Sequence, residues 1–330
     1  MNWLYYWIGK INKKINSKYL IYNYYMKQKF TQFWQYIIEN EYITLLTHKN
    51  PDGDTIGSSI ALREIILLNS KKTKRVEISG GDCPRNLEFL FPNKLDLVDK
   101  DFFDKSLKIV VDTCSKKRVF DQRVEPIRSL KFDHHPEEDQ FMFGIGGDHW
   151  PATGQLLAEM VIELNLKVNQ LALQAMTIAI LTDTNNFTER NISSKTFDVM
   201  SWIMTKGVDY KKAINNIKLN NEEKQIIHNT ISTIKTEGIV SYIISEKIIS
   251  NDIVRPLVNQ FLNISNSEVN LAILKDKRGL YRCSIRSTSS FDVNEIAKIF
   301  GGGGHHNSSG FILNSIEEVK NVLNIINAKK

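Results

Sequence analysis

Ile43-Thr44-Leu45-Leu46-Thr47-His48-Lys49-Asn50-Pro51-Asp52-Gly53-Asp54-Thr55-Ile56-Gly57-Ser58 passes from an apolar run into a polar loop and then into a segment with helical spacing. Three later segments end in the same manner: Val110-Val111-Asp112-Thr113, Phe132-Asp133-His134-His135 and Ile180-Leu181-Thr182-Asp183-Thr184. Each polar group closes an apolar run, which sets it where a buried element reaches the rim of a sheet. In open α/β sheets that rim is where ligands bind. Carboxylate and imidazole together suit divalent ions such as Mn²⁺. One such loop is weak evidence; four in order are strong.

Around these loops, short β-type runs alternate with helical ones. Strands are expected at 43–47, 75–79, 108–112 and 130–133, and helices at 56–69, 153–165 and 171–182. That alternation predicts an α/β fold with a mainly parallel sheet flanked by helices. The domain is expected to run over 31–206. Segments 195–206 and 221–235 also read as helical, and 207–237 is expected as a helical linker. From 238 to 330 the pattern changes to a smaller α/β unit: strands at 239–244, 269–275, 280–286 and 310–313, and helices near 252–262, 292–300 and 315–328. Lys277-Arg278-Gly279 fits a tight turn between two of those strands.

Composition agrees with an enzyme of ordinary type. The 330 residues, 42% of them hydrophobic, suffice for two moderate cores. Cys83, Cys114 and Cys283 are far apart and form no CxxC pair, so neither a disulfide framework nor a zinc site is indicated, and a reducing cytoplasm is expected. No apolar run is long enough to cross a bilayer, so no stable membrane partner is expected. The net charge of +6 is matched by six lysines and no acid within residues 1–30. The other 300 residues carry no net charge, so any polyanion must be held by local groups. The leader 1–30 lacks the compact apolar region and small-residue cleavage site of a secretory signal. It reads as a poorly ordered extension, or as an upstream start with the working protein beginning near Met26, in preference to an amphipathic surface helix.

Each loop has a plain reading beside the chemical one. Asp52 and Asp54 flank Gly53, and a loop of this kind can offer one carboxylate to each of two ions about 3.5–4 Å apart. His48 is within reach of the first. The plain reading is a cap for the helix that follows, and both can hold. Asp112 can be a turn residue at a strand end, and Asp183 can punctuate a helix. Asp133-His134-His135 is more specific, because a carboxylate beside two imidazoles is costly to bury without a purpose.

These four motifs resemble the DHH phosphoesterase superfamily, named for the triplet seen here as Asp133-His134-His135. Gly301-Gly302-Gly303-Gly304-His305-His306 resembles the glycine-rich signature of the DHH-associated substrate domain. The resemblance spans roughly 43 to 311, and within the superfamily it is strongest to the stand-alone nanoRNase/pAp phosphatase group. It implies one Mn²⁺ held by His48, Asp52 and Asp112, and a second held by Asp54, Asp112, His134 and Asp183, with Asp112 bridging. It implies that His135 stands beside the ions, orienting substrate or assisting the leaving oxygen, and that Asp133 fixes an imidazole from behind. A water activated by both ions would attack phosphorus in line. The implied substrates are di- to pentaribonucleotides and the nucleotide bisphosphate pAp.

The second domain is expected to select the substrate. The glycine run lets backbone N–H groups approach a phosphate, and His305 adds a donor. Strand alternation sets Arg282, Ser284 and Arg286 on one face. The resemblance assigns Arg286 and Ser287 to a substrate phosphate, while Arg282 reads as a solvated charge. Arg190 is a further anion-binding candidate. A metal site on one domain and a phosphate cradle on the other imply a cleft suited to short, end-gripped substrates. A cyclic- or linear-dinucleotide phosphodiesterase is the alternative enzyme, and an RNA-binding module without turnover is the alternative from another class. Dominant substrate, cleavage direction and oligomeric state, a homodimer included, stay open.

Overall fold

The computed structural model describes residues 22–81, 83–91, 95–188 and 191–329. The chain divides into two compact units, Met1–Ile217 and Lys218–Lys330.

The first unit is built on a five-stranded sheet of order β2-β1-β3-β4-β5, formed by β1 (Tyr42–Leu46), β2 (Arg75–Ser79), β3 (Leu107–Val111), β4 (Leu130–Asp133) and β5 (Phe143–Gly146). Every pairing is parallel. Parallel strands are buried on both faces and therefore read as continuous apolar runs. Ile43, Leu45, Ile109, Val111 and Phe132 face the large core, and Leu46 and Val110 face a smaller apolar layer with Phe103, Val119 and Val124. Around the sheet lie α1 (residues 22–38), α2 (Gly53–Asn69), α3 (Lys100–Lys105), α4 (Thr153–Glu163), α5 (Gln170–Asp183), α6 (Ser194–Thr205) and α7 (Tyr210–Asn216).

The leader needs correction. Residues 22–30 are the first half of α1, and Phe30, Phe33 and Ile37 on that helix are buried in the main core. Spacings of three and four put those side chains on one stripe, which docks the helix. Residues 1–21 lie outside the described residues. Two further elements of this unit, α3 and β5, were not expected, while α7 falls within the segment 207–237 expected to be helical.

The second unit holds a six-stranded sheet of order β10-β11-β9-β8-β7-β6, with β6 (Lys235–Glu237), β7 (Val240–Ser245), β8 (Val269–Lys275), β9 (Tyr281–Ser287), β10 (Gly303–His305) and β11 (Ser308–Leu313). Only the β7–β8 pair is parallel. Helices α8 (Asn221–Ile231), α9 (Asn251–Ile264), α10 (Val293–Ile299) and α11 (Val319–Ala328) complete it. One face packs on Leu323 and Ile326 of α11, the other on Leu257 and Phe261 of α9. The segment 207–237 is thus shared: α7 falls in the first unit, α8 and β6 in the second. Between β8 and β9 the chain turns through Asp276–Leu280, with Gly279 at φ +82° donating its N–H to the Asp276 carbonyl.

Candidate functional site

Three of the four rim motifs arrive at the carboxyl ends of parallel strands, and the fourth at the end of a helix. His48 lies two residues past β1, Asp112 directly follows β3, Asp133 ends β4, and Asp183 ends α5. The Asp52 side chain caps α2 by accepting from the Asp54 and Thr55 N–H groups, both at 3.2 Å. The helix-cap reading of Asp52 therefore holds. Gly53 is required here, because a Cβ at that position would lie 2.3 Å from Thr182 Oγ1 on α5. That close approach brings the Asp52–Asp54 loop and Asp183 to one place.

Ligand-type atoms gather in overlapping groups: His48 with Asp52 and Asp112, Asp54 with His134 and Asp183, and Asp112 with His134 and His135. His48 Nε2 is 3.6 Å from Asp52 Oδ1 and 3.5 Å from Asp112 Oδ2. His134 Nε2 is 3.8 Å from Asp54 Oδ2, 3.5 Å from Asp112 Oδ1 and 3.1 Å from Asp183 Oδ2. Asp112 thus turns one oxygen toward each imidazole. It does so from a left-handed backbone, φ +61°, which is uncommon outside glycine and is tolerated best by Asp and Asn.

Most of these separations exceed good hydrogen-bond length. The rings are nonetheless oriented. His48 Nδ1 lies 2.8 Å from the Lys49 carbonyl and His134 Nδ1 lies 3.1 Å from the Trp150 carbonyl. A carbonyl only accepts, so each Nδ1 carries the proton, and in the neutral ring each Nε2 presents its lone pair to the carboxylates. Histidine ligands of metals are held in this way.

Electrostatics point to a cation. Asp54 is wholly buried, and burial, together with the charges of Asp112 and Asp183, pushes its carboxyl well above the usual range despite His134. Burial opposes a charge on His48, yet its contacts with Asp112 and Asp52 raise its pKa to about 10. His134 is likewise raised against its burial, chiefly by Asp183. Four carboxylates and two imidazoles converging at one place, with Asp54, Asp112 and His48 buried, are costly unless a cation joins them. The oxygen and nitrogen donors fit a hard or borderline divalent ion.

His135 stands at the edge of this cluster. Its Nδ1 is 2.7 Å from Asp133 Oδ1 and 3.8 Å from Asp112 Oδ1. Asp133 is fully buried; burial pushes its carboxyl up, but the His135 hydrogen bond and the charges of His135, His134 and Lys131 together hold it below the usual range. The sequence reading missed three residues. The Thr153 and Gly154 N–H groups, at the N-terminus of α4, donate to the two oxygens of Asp54 at 2.7 and 2.9 Å, and Ser58 Oγ donates to one of them at 3.0 Å. Thr153 Oγ1 donates to Asp112 Oδ1 at 2.8 Å. A helix N-terminus suits an anion, and Pro151-Ala152-Thr153-Gly154 before an apolar run was the available signal. His149 Nε2 lies 2.6 Å from the Tyr22 hydroxyl.

In the second unit the glycine run is not a loop. Gly303–His305 forms edge strand β10 against β11, and Gly304 has φ +148°, a region open to glycine. The register sets His305, Ser308, Arg286 and Asn270 in one row across four strands. Arg286, half-buried, donates from Nη1 to the Ile285 and Ser309 carbonyls at 3.0 and 3.2 Å. Ser287 is buried, points to the other face of β9, and contacts Ser289. Arg190 lies outside the described residues. Among the described residues, no helix is long and apolar enough to cross a membrane.

Comparison with known proteins agrees with this geometry. The model of the DHH family, N-terminal domain, matches residues 42–180, and that of the DHHA1 domain matches 235–329. A Streptococcus mutans protein named as a probable bifunctional oligoribonuclease and PAP phosphatase is 28% identical over 300 residues, spanning 85% of this chain and 93% of that protein. The Bacillus subtilis bifunctional oligoribonuclease and PAP phosphatase is 28% identical over 306 residues, 86% of this chain and 93% of that one. An exopolyphosphatase-related protein from Bacteroides fragilis shares the fold at a TM-score of 0.79 and 22% identity, over 92% of this chain and 96% of that one.

Proposed function

Because the chain belongs to the DHH family of phosphoesterases, we propose that this hydrolase cleaves short oligoribonucleotides to mononucleotides and pAp to AMP. The observation that carries the reading is the pair of ligand groups His48–Asp52–Asp112 and Asp54–His134–Asp183, joined where Asp112 Oδ1 lies 3.5 Å from His134 Nε2. Relatives that match over most of their length, and that are named for these two activities, support the substrate class.

In this reading His48, Asp52 and Asp112 hold one divalent ion, Mn²⁺ by the character of the donors, and Asp54, Asp112, His134 and Asp183 hold another. Such ions, when bound, supply a water that loses its proton near neutral pH and offset the charge that grows on phosphoryl oxygens. The protein's own groups do the rest. The carbonyls of Lys49 and Trp150 fix the two imidazoles. The α4 N-terminus and Ser58 lock both oxygens of Asp54, and Thr153 anchors Asp112. His135, held through Nδ1 by Asp133, leaves Nε2 to hand a proton to the departing oxygen. In the second unit Arg286 and the backbone of Gly302, Gly303, Gly304 and His305 grip a terminal phosphate, with Arg190 as a further anion contact; Ser287, buried on the opposite face of β9, is not in reach of that phosphate. Cys83, Cys114 and Cys283 form no disulfide, which fits a reducing cytoplasm.

The test is a turnover assay with Mn²⁺ on pAp, a di- to pentaribonucleotide series and a cyclic dinucleotide, each with an EDTA control. Mononucleotides from the short RNAs, lost on chelation, are expected. Activity confined to the cyclic compound would move the enzyme to dinucleotide signalling. Absence of any metal-dependent product would overturn the reading.

A further inference from the structure

Lys131 is the only lysine or arginine among the described residues whose side chain is wholly buried. It is the second residue of β4, where it pairs with Val110 of β3 and Gly144 of β5. Side chains in one such row share a face, so Lys131 enters the apolar layer that contains Val110. Room for its stem comes from Gly144, where a Cβ would lie 3.1 Å from Lys131 Cε. Nζ reaches Glu137 Oε1 at 2.6 Å, and that carboxylate belongs to an exposed side chain. On its inner side Nζ lies 4.0 Å from Asp133 Oδ2, a buried oxygen with no hydrogen-bond partner.

A buried ammonium costs several kcal/mol in desolvation, and an apolar residue of the same length fills such a space at less cost. Packing therefore does not account for a charge at this position. The two oxygens of Asp133 have separate neighbours. Oδ1 meets His135 Nδ1 at 2.7 Å, and Oδ2 faces the Lys131 ammonium. Two residues apart on one strand, Lys131 and Asp133 point to the same side, so the cation sits behind the carboxylate and the imidazole in front.

We propose that Lys131 is a positioning residue of the hydrolytic site: its buried ammonium, 4.0 Å from Asp133 Oδ2, attracts that oxygen by charge and without a hydrogen bond, leaves Oδ1 to His135 Nδ1, and so fixes the His135 ring with Nε2 toward substrate. The inference rests on the hydrolase reading above. It assigns the β4 lysine to the chemistry though it touches neither the ligand cluster nor substrate. Lys131 acts only through Asp133 and His135.

The experiment is a double-substitution cycle on the full chain with Mn²⁺ and a diribonucleotide. Lys131→Met should lower kcat about 10–100-fold, the usual effect of losing a residue behind a metal site, with KM within about twofold. In a His135→Ala background the same change should alter kcat less than about twofold, and Lys131→Arg should retain most of the activity. Unchanged kcat in Lys131→Met, or equal losses in both backgrounds, would overturn the proposal. Lys131→Gln, uncharged and polar, serves where the methionine variant does not fold. If neither folds, Lys131 belongs to the core alone and the proposal fails. Lack of turnover by the unmodified protein would instead count against the hydrolase reading.

Discussion

Asp112 concentrates the argument at the residue scale. A non-glycine residue at φ +61° is held against a backbone preference, and what it gains is a carboxylate with one oxygen toward His48 and the other toward His134. Asparagine tolerates the same backbone and nearly the same shape. Asp112→Asn should therefore keep the fold while reducing turnover more than about 100-fold, beyond what the loss of an outlying partner does. Its metal-free melting temperature should equal or exceed that of the parent, since one charge leaves a crowded cluster. Near-normal kcat would remove Asp112 from its bridging role. On the second unit, Arg286→Ala should weaken binding of substrates with a terminal phosphate by about 1.5–3 kcal/mol, the scale of a charged hydrogen bond. Calorimetric titration of paired substrates with and without that phosphate checks this, and equal losses for both would point to a structural role in bonding the Ile285 and Ser309 carbonyls.

At the scale of elements, the site depends on how closely α2 and α5 approach. Gly53 and Gly57 together allow this: a Cβ at Gly57 would lie 2.5 Å from the Ala175 carbonyl oxygen, and one at Gly53 would have Thr182 Oγ1, Cγ2 and Cβ all within 2.7 Å. Gly53→Ala should lower unfolding free energy by about 1–3 kcal/mol through overpacking, despite alanine's better helix propensity. The Asp52–Asp54 loop would shift with it, so Mn²⁺ affinity should drop as well. Chemical denaturation with and without Mn²⁺ separates the two effects, and a stabilised variant with unchanged affinity would refute this account. The same elements show where sequence was legible. Strands β1, β3 and β4 are apolar runs ending in a carboxylate or imidazole, so both the parallel sheet and the residues gathered at its rim could be read directly. Strand β5, Phe143-Gly144-Ile145-Gly146, is four residues long and half glycine, too short and too poor in β-formers to stand out. Strand β10 is likewise built from glycines and owes its existence to pairing with β11. Thr153 and Gly154 were missed because backbone N–H groups leave little trace in residue type, and the helix they open has no side-chain cap. The docking of α1 depended on three apolar residues within an aromatic and basic segment, where burial and exposure look alike.

For the whole molecule, folding is linked to protons and metal through one cluster. His48 is raised to about 10 and Asp54 well above the ordinary carboxyl range in the metal-free fold. A group whose folded pKa exceeds its unfolded value contributes stability that is complete below the unfolded pKa and fades as pH rises through the folded one. For His48 that window runs from about 6.5, its unfolded value, to about 10. Asp54 acts in the same direction, because its carboxyl is raised too. Asp133 acts oppositely, since it is lowered, but its contribution is complete above the normal carboxyl range and is lost only in acid. The metal-free protein should therefore lose melting temperature as pH climbs from 6 to 9. Ligands must shed their protons to bind an ion, so metal affinity rises over the same interval. Binding to the folded form alone adds stability in proportion to the logarithm of metal concentration over Kd. The gap between melting temperatures with and without Mn²⁺ should thus widen steadily with pH, and thermal scans at fixed Mn²⁺ across that range measure it. A gap that stays constant or narrows would mean that the ion does not replace the protons on His48 and Asp54, and would separate this cluster from the metal it is argued to hold.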